Sequence, residues 1–303
     1  MATTYDSALN DNIIIDEALN AYTATLATLG MFSTNYSQHA EKKGASITVP
    51  LIGSMEASDV ENDYETASGN AGAVEVPLNK YAKATVSMTD REFAESSTAD
   101  LKIFGQQMGA AVATKVIKGV FELITKGNFP TTLAPNPGMS MTSLLSLARA
   151  KFNSLMVPAQ GRAYFPSADA YLELGNDPAV KVASAMAYGG TEYVRDGVIP
   201  RLLGFNLFES VVMPTSPSAV NGFIVHPSAI AVATRAIIPS EQRAYIESRK
   251  ITDPATGITM TYRRHYGTKA GKLFATIECY WGAAVGVKEG LILMPAIPAA
   301  LVA

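Results

Sequence analysis

The chain has 303 residues, of which 48% are hydrophobic and only 17% charged, with a formal net charge of −3. Ordinary globular domains carry roughly a quarter charged residues, so the low value implies surface buried between subunits. The negative balance argues against a protein whose main task is gripping nucleic acid, because phosphate neutralisation needs clustered Lys and Arg. A single cysteine, Cys279, cannot form an internal disulfide, and Met1-Ala2-Thr3-Thr4 lacks the basic and apolar regions of a signal peptide, so a reducing cytosol is expected.

Residues 1–44 read as an N-terminal arm. Within it Ile14, Ile15, Ala18, Leu19, Tyr22, Leu26 and Leu29 stand near helical spacing and predict a helix over 11–29, packed on its own domain or on a neighbour. Residues 45–89 read as one long β-ribbon. The rising arm is Ile47-Thr48-Val49-Pro50-Leu51-Ile52 and the returning arm runs from Val74 to Met88, both with apolar/polar alternation and β-branched residues. Between them lie Glu56, Asp59, Glu61, Asp63 and Glu65, without one Lys or Arg. A lone two-stranded ribbon is marginal in water, so it needs a partner surface on another copy of the chain.

The ribbon runs into a long amphipathic helix. Leu101, Phe104, Met108, Val112, Val116, Val120 and Leu123 recur every three or four positions over 97–126. Ser97 and Asp100 resemble a capping box, Gly127-Asn128-Phe129-Pro130 is a stop, and the helix would be about 40 Å long. A Pro/Gly-rich connector over 131–138 leads to a second amphipathic helix at 141–155. Then come a strand at 162–166, a helix at 167–174, strands at 207–213 and 222–226, and a helix at 227–236, an alternation that suits an α+β or α/β lobe. The stretch 187–201, with Gly189, Gly190 and Gly197, reads as a flexible loop. The Tyr-, Thr- and Ile-rich strands at 243–252, 258–265 and 273–287 are expected to lie against the long helix. The apolar end, 290–303, is cut by Pro295 and Pro298 and is too short to span a bilayer, so it reads as a buried strand and tail.

Chemistry is sparse. His39, His226 and His265 form no ligand pattern and Cys279 has no partner cysteine, so no metal and no cofactor is expected. Gly267-Thr268-Lys269-Ala270-Gly271-Lys272-Leu273 looks like a phosphate loop, but it is one residue short and puts Leu273 where Ser or Thr would hold magnesium. A hairpin turn is the better reading. Neither a nucleophile elbow nor a dinucleotide fingerprint occurs. The acidic ribbon could hold calcium, against the plainer reading of a solvated loop. Charge patterning says more. No positive residue lies between Lys43 and Lys80, while Arg243, Arg249, Lys250, Arg263, Arg264, Lys269 and Lys272 concentrate in the late strands, and complementary faces in an assembly set register.

The order of these parts resembles the major capsid proteins of tailed bacteriophages, whose fold is named for phage Hong Kong 97. Three stretches share its flavour: Asp196 to Ser210, Phe223 to Ala231, and Tyr280-Trp281-Gly282-Ala283-Ala284-Val285. The resemblance implies an α+β chain with an N-terminal arm (1–44), an extended β-loop (45–80), a peripheral domain built on a spine helix (81–130 and 236–290) and an axial domain (131–235 and 291–303). It further implies a non-enzymatic protein that self-assembles into pentamers and hexamers of an icosahedral shell around double-stranded DNA. Such a subunit would assemble in the bacterial host cytoplasm and reside in the virion capsid. Its partners would be itself, scaffolding, portal and decoration proteins, and packaged DNA by weak non-specific contact, with no membrane. The acidic ribbon would meet the late basic residues of a neighbour, and Gly189, Gly190 and Gly197 would let a loop change shape between pentamers and hexamers. Two other readings stay open: an encapsulin-like nanocompartment of the same fold, and a cytosolic oligomeric enzyme with a site around Asp169 and His226.

Overall fold

The computed structural model describes residues 4–32, 46–52, 71–95, 98–134, 136, 138–181, 199, 201–210, 212–214, 220–237, 245–252, 257 and 259–295. In chain order the elements are α1 (Thr4–Leu26), β1 (Ser46–Ile52), β2 (Ala71–Pro77), β3 (Lys80–Thr89), α2 (Asp90–Glu95), α3 (Thr98–Phe121), α4 (Met141–Ser154), β4 (Ala163–Pro166) and α5 (Ala168–Asn176). There follow β5 (Arg201–Leu202), β6 (Phe205–Leu207), β7 (Val220–Val225), β8 (Ile230–Arg235), β9 (Glu247–Thr252), β10 (Thr259–Gly267), β11 (Lys272–Val285) and β12 (Leu291–Pro295).

The long helix is α3, 24 residues and so about 36 Å. Its buried stripe is Met108, Val112, Ala113, Val116, Ile117, Val120 and Phe121, the side expected from the spacing. It ends five residues before the expected Lys126, because Ile124 N donates to the Phe121 carbonyl at 2.9 Å and Asn128 Nδ2 to the Leu123 carbonyl at 2.8 Å, turning the chain early. Helix α1 lies beside α3, running in the same direction: Ile14 backbone rests on Gly105 and Ala18 backbone on Gly109, where any Cβ would collide. The two glycines and Ala113, one turn apart each, cut a notch into which the α1 backbone settles. Glu17 adds contacts to Gln106 Nε2 at 2.9 Å and Lys102 Nζ at 3.4 Å. The arm helix therefore packs within its own chain.

Below α3 lies a five-stranded antiparallel sheet, β3-β11-β10-β9, with β8 pairing the far half of β11. Alternation assigns its faces. Ala82, Met88, Ala275, Ile277, Cys279 and Trp281 point into the α3 core, while Thr85, Thr276 and Glu278 stand on the opposite face by the strand period of two. The β10–β11 hairpin turns through Thr268 to Gly271, so the phosphate-loop lookalike is a turn.

A second five-stranded sheet, β12-β7-β4-β6-β5, is buried on both faces. Ala163, Phe165, Phe223, Val225, Leu291 and Leu293 face the α3 core; Tyr164, Ile224, Ile292 and Met294 face α4 and α5 with Leu144, Leu145, Phe152 and Leu174. Strands covered on both sides read as continuous apolar runs, which is why 222–226 and the terminal strand were legible. At the seam between the two sheets Phe165 stacks on Phe223 at 4.8 Å, Phe32 stacks on Phe165 at 6.2 Å, and Phe121 meets Phe223 edge-on at 5.3 Å. Ser140 and Ser167 cap α4 and α5, accepting from Ser143 N and Ala170 N.

Three expectations need correction. The returning arm is not one strand: β2 pairs β1, whereas β3 leaves for the large sheet and pairs β11. Pro77, lacking an N–H, closes the ribbon ladder. The helix expected at 227–236 is a short 3-10 turn, Pro227–Ala229, followed by strand β8. Ile-Ala-Val-Ala-Thr is buried throughout β8, so burial on both faces erased the period of two and its alanines imitated a helix. In place of the strand expected at 207–213 stands β6, Phe205–Leu207, which starts from the β5–β6 hairpin turn on Leu203 and Gly204, both at positive φ, and ends where the expected strand begins. The glycine loop around Gly189, Gly190 and Gly197 lies outside the described residues.

Candidate functional site

Ribbon β1–β2 is a two-stranded antiparallel sheet of its own, in register from Ser46↔Pro77 to Ile52↔Ala71. Among the residues whose side chains are described, its root is seated on the body. Ile47, Val76 and Leu78 are buried against Ala231 and Ala233 of β8, with Tyr280 and Ala284 of β11 packed beside them. Tyr280 Oη donates to the Leu78 carbonyl oxygen, and the Pro77 carbonyl passes so close over Gly282 that no side chain fits there. On the other side of β11, Lys80 Nζ lies 5.0 Å over the Trp281 ring, donates to the Gly119 carbonyl at 3.2 Å, and pairs with Glu122 at 3.4 Å. That ties the first residue of β3 to the end of α3.

Of the basic residues singled out, the sheet gathers most. Arg249 and Lys250 are exposed on β9, Lys269 is exposed in the β10–β11 turn, and Lys272 opens β11 half-buried. Arg249 pairs with Glu247 and donates to Asn12 Oδ1 at 2.6 Å. Arg263 and Arg264 are buried on β10, at 7% and 6% exposure. Arg263 pairs with Glu278 at 3.1 Å, donates to the Ile237 carbonyl at 2.9 Å and lies 5.2 Å over the Tyr245 ring. Partial burial, and then its hydrogen bond to Glu278, pushes the Tyr81 hydroxyl above the ordinary tyrosine range. Glu56, Asp59, Glu61, Asp63, Glu65 and Arg243 lie outside the described residues.

Two of the residues considered for chemistry, His226 and Cys279, make structural contacts. Nδ1 of His226 accepts from Ser228 N at 3.3 Å and contacts its hydroxyl at 2.8 Å, capping the turn before β8. Burial, and then the nearby Arg162 charge, holds His226 below the usual histidine range. Asp169 is exposed in the first turn of α5. Cys279 is buried, takes a hydrogen bond from Tyr22 at 3.5 Å, and its thiol is pushed up to about 12 by burial. The sequence reading missed Asp177, which accepts from Thr142 Oγ1 at 2.6 Å and Ala179 N at 2.9 Å and is thereby held below the usual aspartate range. Among the described residues no group of His, Cys, Asp and Glu is placed to hold a metal ion. No described helix is long and apolar enough to cross a membrane.

The mixed helix-and-sheet fold built from these parts matches the folds of solved phage capsid structures. A solved structure described as Mycobacterium phage Che8 superposes with a TM-score of 0.57 at 18% identity, covering 87% of this chain and 89% of that one. The capsid structure of cyanophage P-SCSP1u gives 0.53 at 13% identity, covering 85% of each chain. A virus-like particle from Pyrococcus furiosus gives 0.54 at 11% identity, covering 93% of this chain and 97% of that one. No protein-family model and no curated protein matches the sequence.

Proposed function

We propose that the chain is the major capsid protein of a tailed bacteriophage, a structural and non-enzymatic subunit with the Hong Kong 97-like domain plan. It self-assembles into pentamers and hexamers of an icosahedral shell that encloses double-stranded DNA. The observation that carries this reading is the shared fold over at least 85% of the chain, with capsids among the matches, joined to a ribbon that forms a two-stranded sheet of its own. Residues 1–44 form the arm, 45–80 the extended loop, 81–130 with 236–290 the peripheral domain, and 131–235 with 291–303 the axial domain. Assembly takes place in the bacterial cytoplasm, with scaffolding, portal and decoration proteins as further partners and loose contact with packaged DNA.

In this reading the acidic stretch from Glu56 to Glu65 lies over a neighbouring subunit. Arg263 and Arg264 are buried in the chain, so the contact falls to Arg249, Lys250, Lys269 and Lys272, with Arg243. Each exposed pair contributes about 0.2–1 kcal/mol and is screened by salt, but a shell repeats it in every subunit. Gly189, Gly190 and Gly197 allow the axial loop to differ between pentamers and hexamers. A nanocompartment shell is the second reading, favoured by the likeness to the Pyrococcus furiosus particle.

The test is to express the chain, alone and with its phage's other assembly genes, and image what forms. Closed particles support the reading, and DNA inside particles made during infection separates capsid from nanocompartment. A chain that remains monomeric or dimeric under every condition overturns both. Neutralising all five ribbon acids should lower particle yield and flatten its salt dependence; unchanged yield and salt dependence would show that apolar or backbone contacts hold the ribbon.

A further inference from the structure

We propose that Tyr280 and Gly282 fix the angle at which the ribbon leaves the body, making Leu78-Asn79 a latched hinge. The ribbon ladder ends at Ser46↔Pro77 and the large sheet begins at Lys80↔Trp281. Leu78 and Asn79 belong to neither strand, and Pro77 has no N–H with which to continue. No ladder therefore transmits the stiffness of the sheet to the ribbon. On the body side the pivot is bounded sharply, because Lys80 is held by the Gly119 carbonyl, Glu122 and the Trp281 ring.

What the ribbon rests on is a smooth floor. Ala231, Ala233 and Ala284 offer methyl groups only, and Gly282 offers nothing, so the Pro77 carbonyl descends onto the β11 backbone. Small residues allow close approach but give little resistance to rotation. Among the described residues, the directional contact at this floor is the Tyr280 hydroxyl on the Leu78 carbonyl, inside the hinge itself. Gly282 sets how low the ribbon lies, and Tyr280 sets how it is turned.

The lever is long. A strand of seven residues spans roughly 23 Å, so a turn of about 10° at the root moves its far end by about 4 Å. If the chain is a shell subunit, as proposed above, that displacement changes where the ribbon meets its neighbour, and hence the curvature of the particle. Tyr280 and Gly282 act as positioning residues for assembly.

The experiment reads the hinge in the full chain, independently of any shell. Spin labels at Glu75→Cys on β2 and Lys118→Cys on α3 report the ribbon-to-body distance by pulsed electron resonance, with labelled chains diluted in unlabelled chain so that each pair is read within one copy. Both positions are exposed, whereas the native Cys279 is 1% exposed and does not compete. Tyr280→Phe should shift and widen the distance distribution. Tyr266→Phe, which removes an exposed hydrogen bond to Asp90 elsewhere on the same sheet, should leave it unchanged. Gly282→Ala should shift it further, and Tyr280→Phe decides the matter if that variant fails to fold. An unchanged distribution in Tyr280→Phe overturns the latch. Particles of Tyr280→Phe should show a broader spread of diameters by electron microscopy; a displaced ribbon with unchanged diameters would overturn the link to curvature. Failure of the wild-type chain to form particles would sink the shell reading and leave the distance measurement to judge the hinge.

Discussion

The body and the ribbon of this protein are stabilised in opposite ways. In the body, helix α3, the large sheet and the doubly covered second sheet bury aromatic and branched side chains on every inward face. In the ribbon, two strands of seven residues pair with each other, and among the described side chains Ile47, Val76 and the adjoining Leu78 seat them on the body. A body of this kind closes on itself, while a two-stranded ribbon is marginal on its own. The contrast separates the residues that make the subunit fold from those that would make subunits associate, and substitutions should sort the same way.

The largest effect belongs in the seam of the body. Phe165→Ala removes a ring that stacks on both Phe223 and Phe32, and should lower unfolding free energy by about 3–5 kcal/mol in a denaturant titration. Glu278→Gln should cost about 3 kcal/mol, because it leaves the buried Arg263 charge uncompensated; a double change of Arg263 and Glu278 to similarly sized apolar residues should recover much of that loss. At the boundary between the regions, Leu78→Ala should cost about 2–3 kcal/mol, and hydrogen exchange should rise in β1 and β2 while the protection of α3 is retained. A comparable loss of protection in α3 would erase the distinction between the regions.

The smallest effect is a pH slope. His226 is held below its unfolded value near 6.5 because burial disfavours the imidazolium. The unfolded chain therefore binds the proton more readily. Stability is complete above about pH 6.5 and falls as the pH drops toward the folded value. His226→Gln should flatten the urea midpoint over that window, and a slope that survives the substitution would assign it to other groups.

The same contrast explains what the sequence disclosed. Helix α3, the β10–β11 hairpin and the existence of the ribbon were legible because each writes its own period or turn chemistry into adjacent residues. The strand β8 was not, since a segment buried on both faces has no polar positions with which to announce its period, and alanine fits helix and strand alike. The split between β2 and β3 was hidden for another reason: the alternation runs through Pro77 and Leu78 unbroken, and only the pairing of β3 with β11, more than a hundred residues further along the chain, shows that two sheets are involved. The seat of the ribbon was illegible too. Tyr280 and Gly282 matter through Leu78 and Pro77, 202 residues from Tyr280 to Leu78, and no local pattern marks a glycine as a floor rather than a turn. Arg263 looked like one surface charge among several; its burial follows from its β10 register opposite Thr276, next to Glu278.

The seat of α1 has a consequence in time. Tyr22 reaches Cys279, 257 residues further along the chain, and a ribosome adding about 5–20 residues per second needs roughly 13–50 s to cover that interval. Helix α3 can receive α1 early, at the Gly105–Gly109 notch, but the floor under Tyr22 is laid only when β11 emerges. Until then Ile14, Ile15 and Tyr22 have half a site, and the sheet that carries the ribbon root does not exist. A partly made subunit thus has neither a finished core nor an aimed ribbon, and only whole chains can join one another.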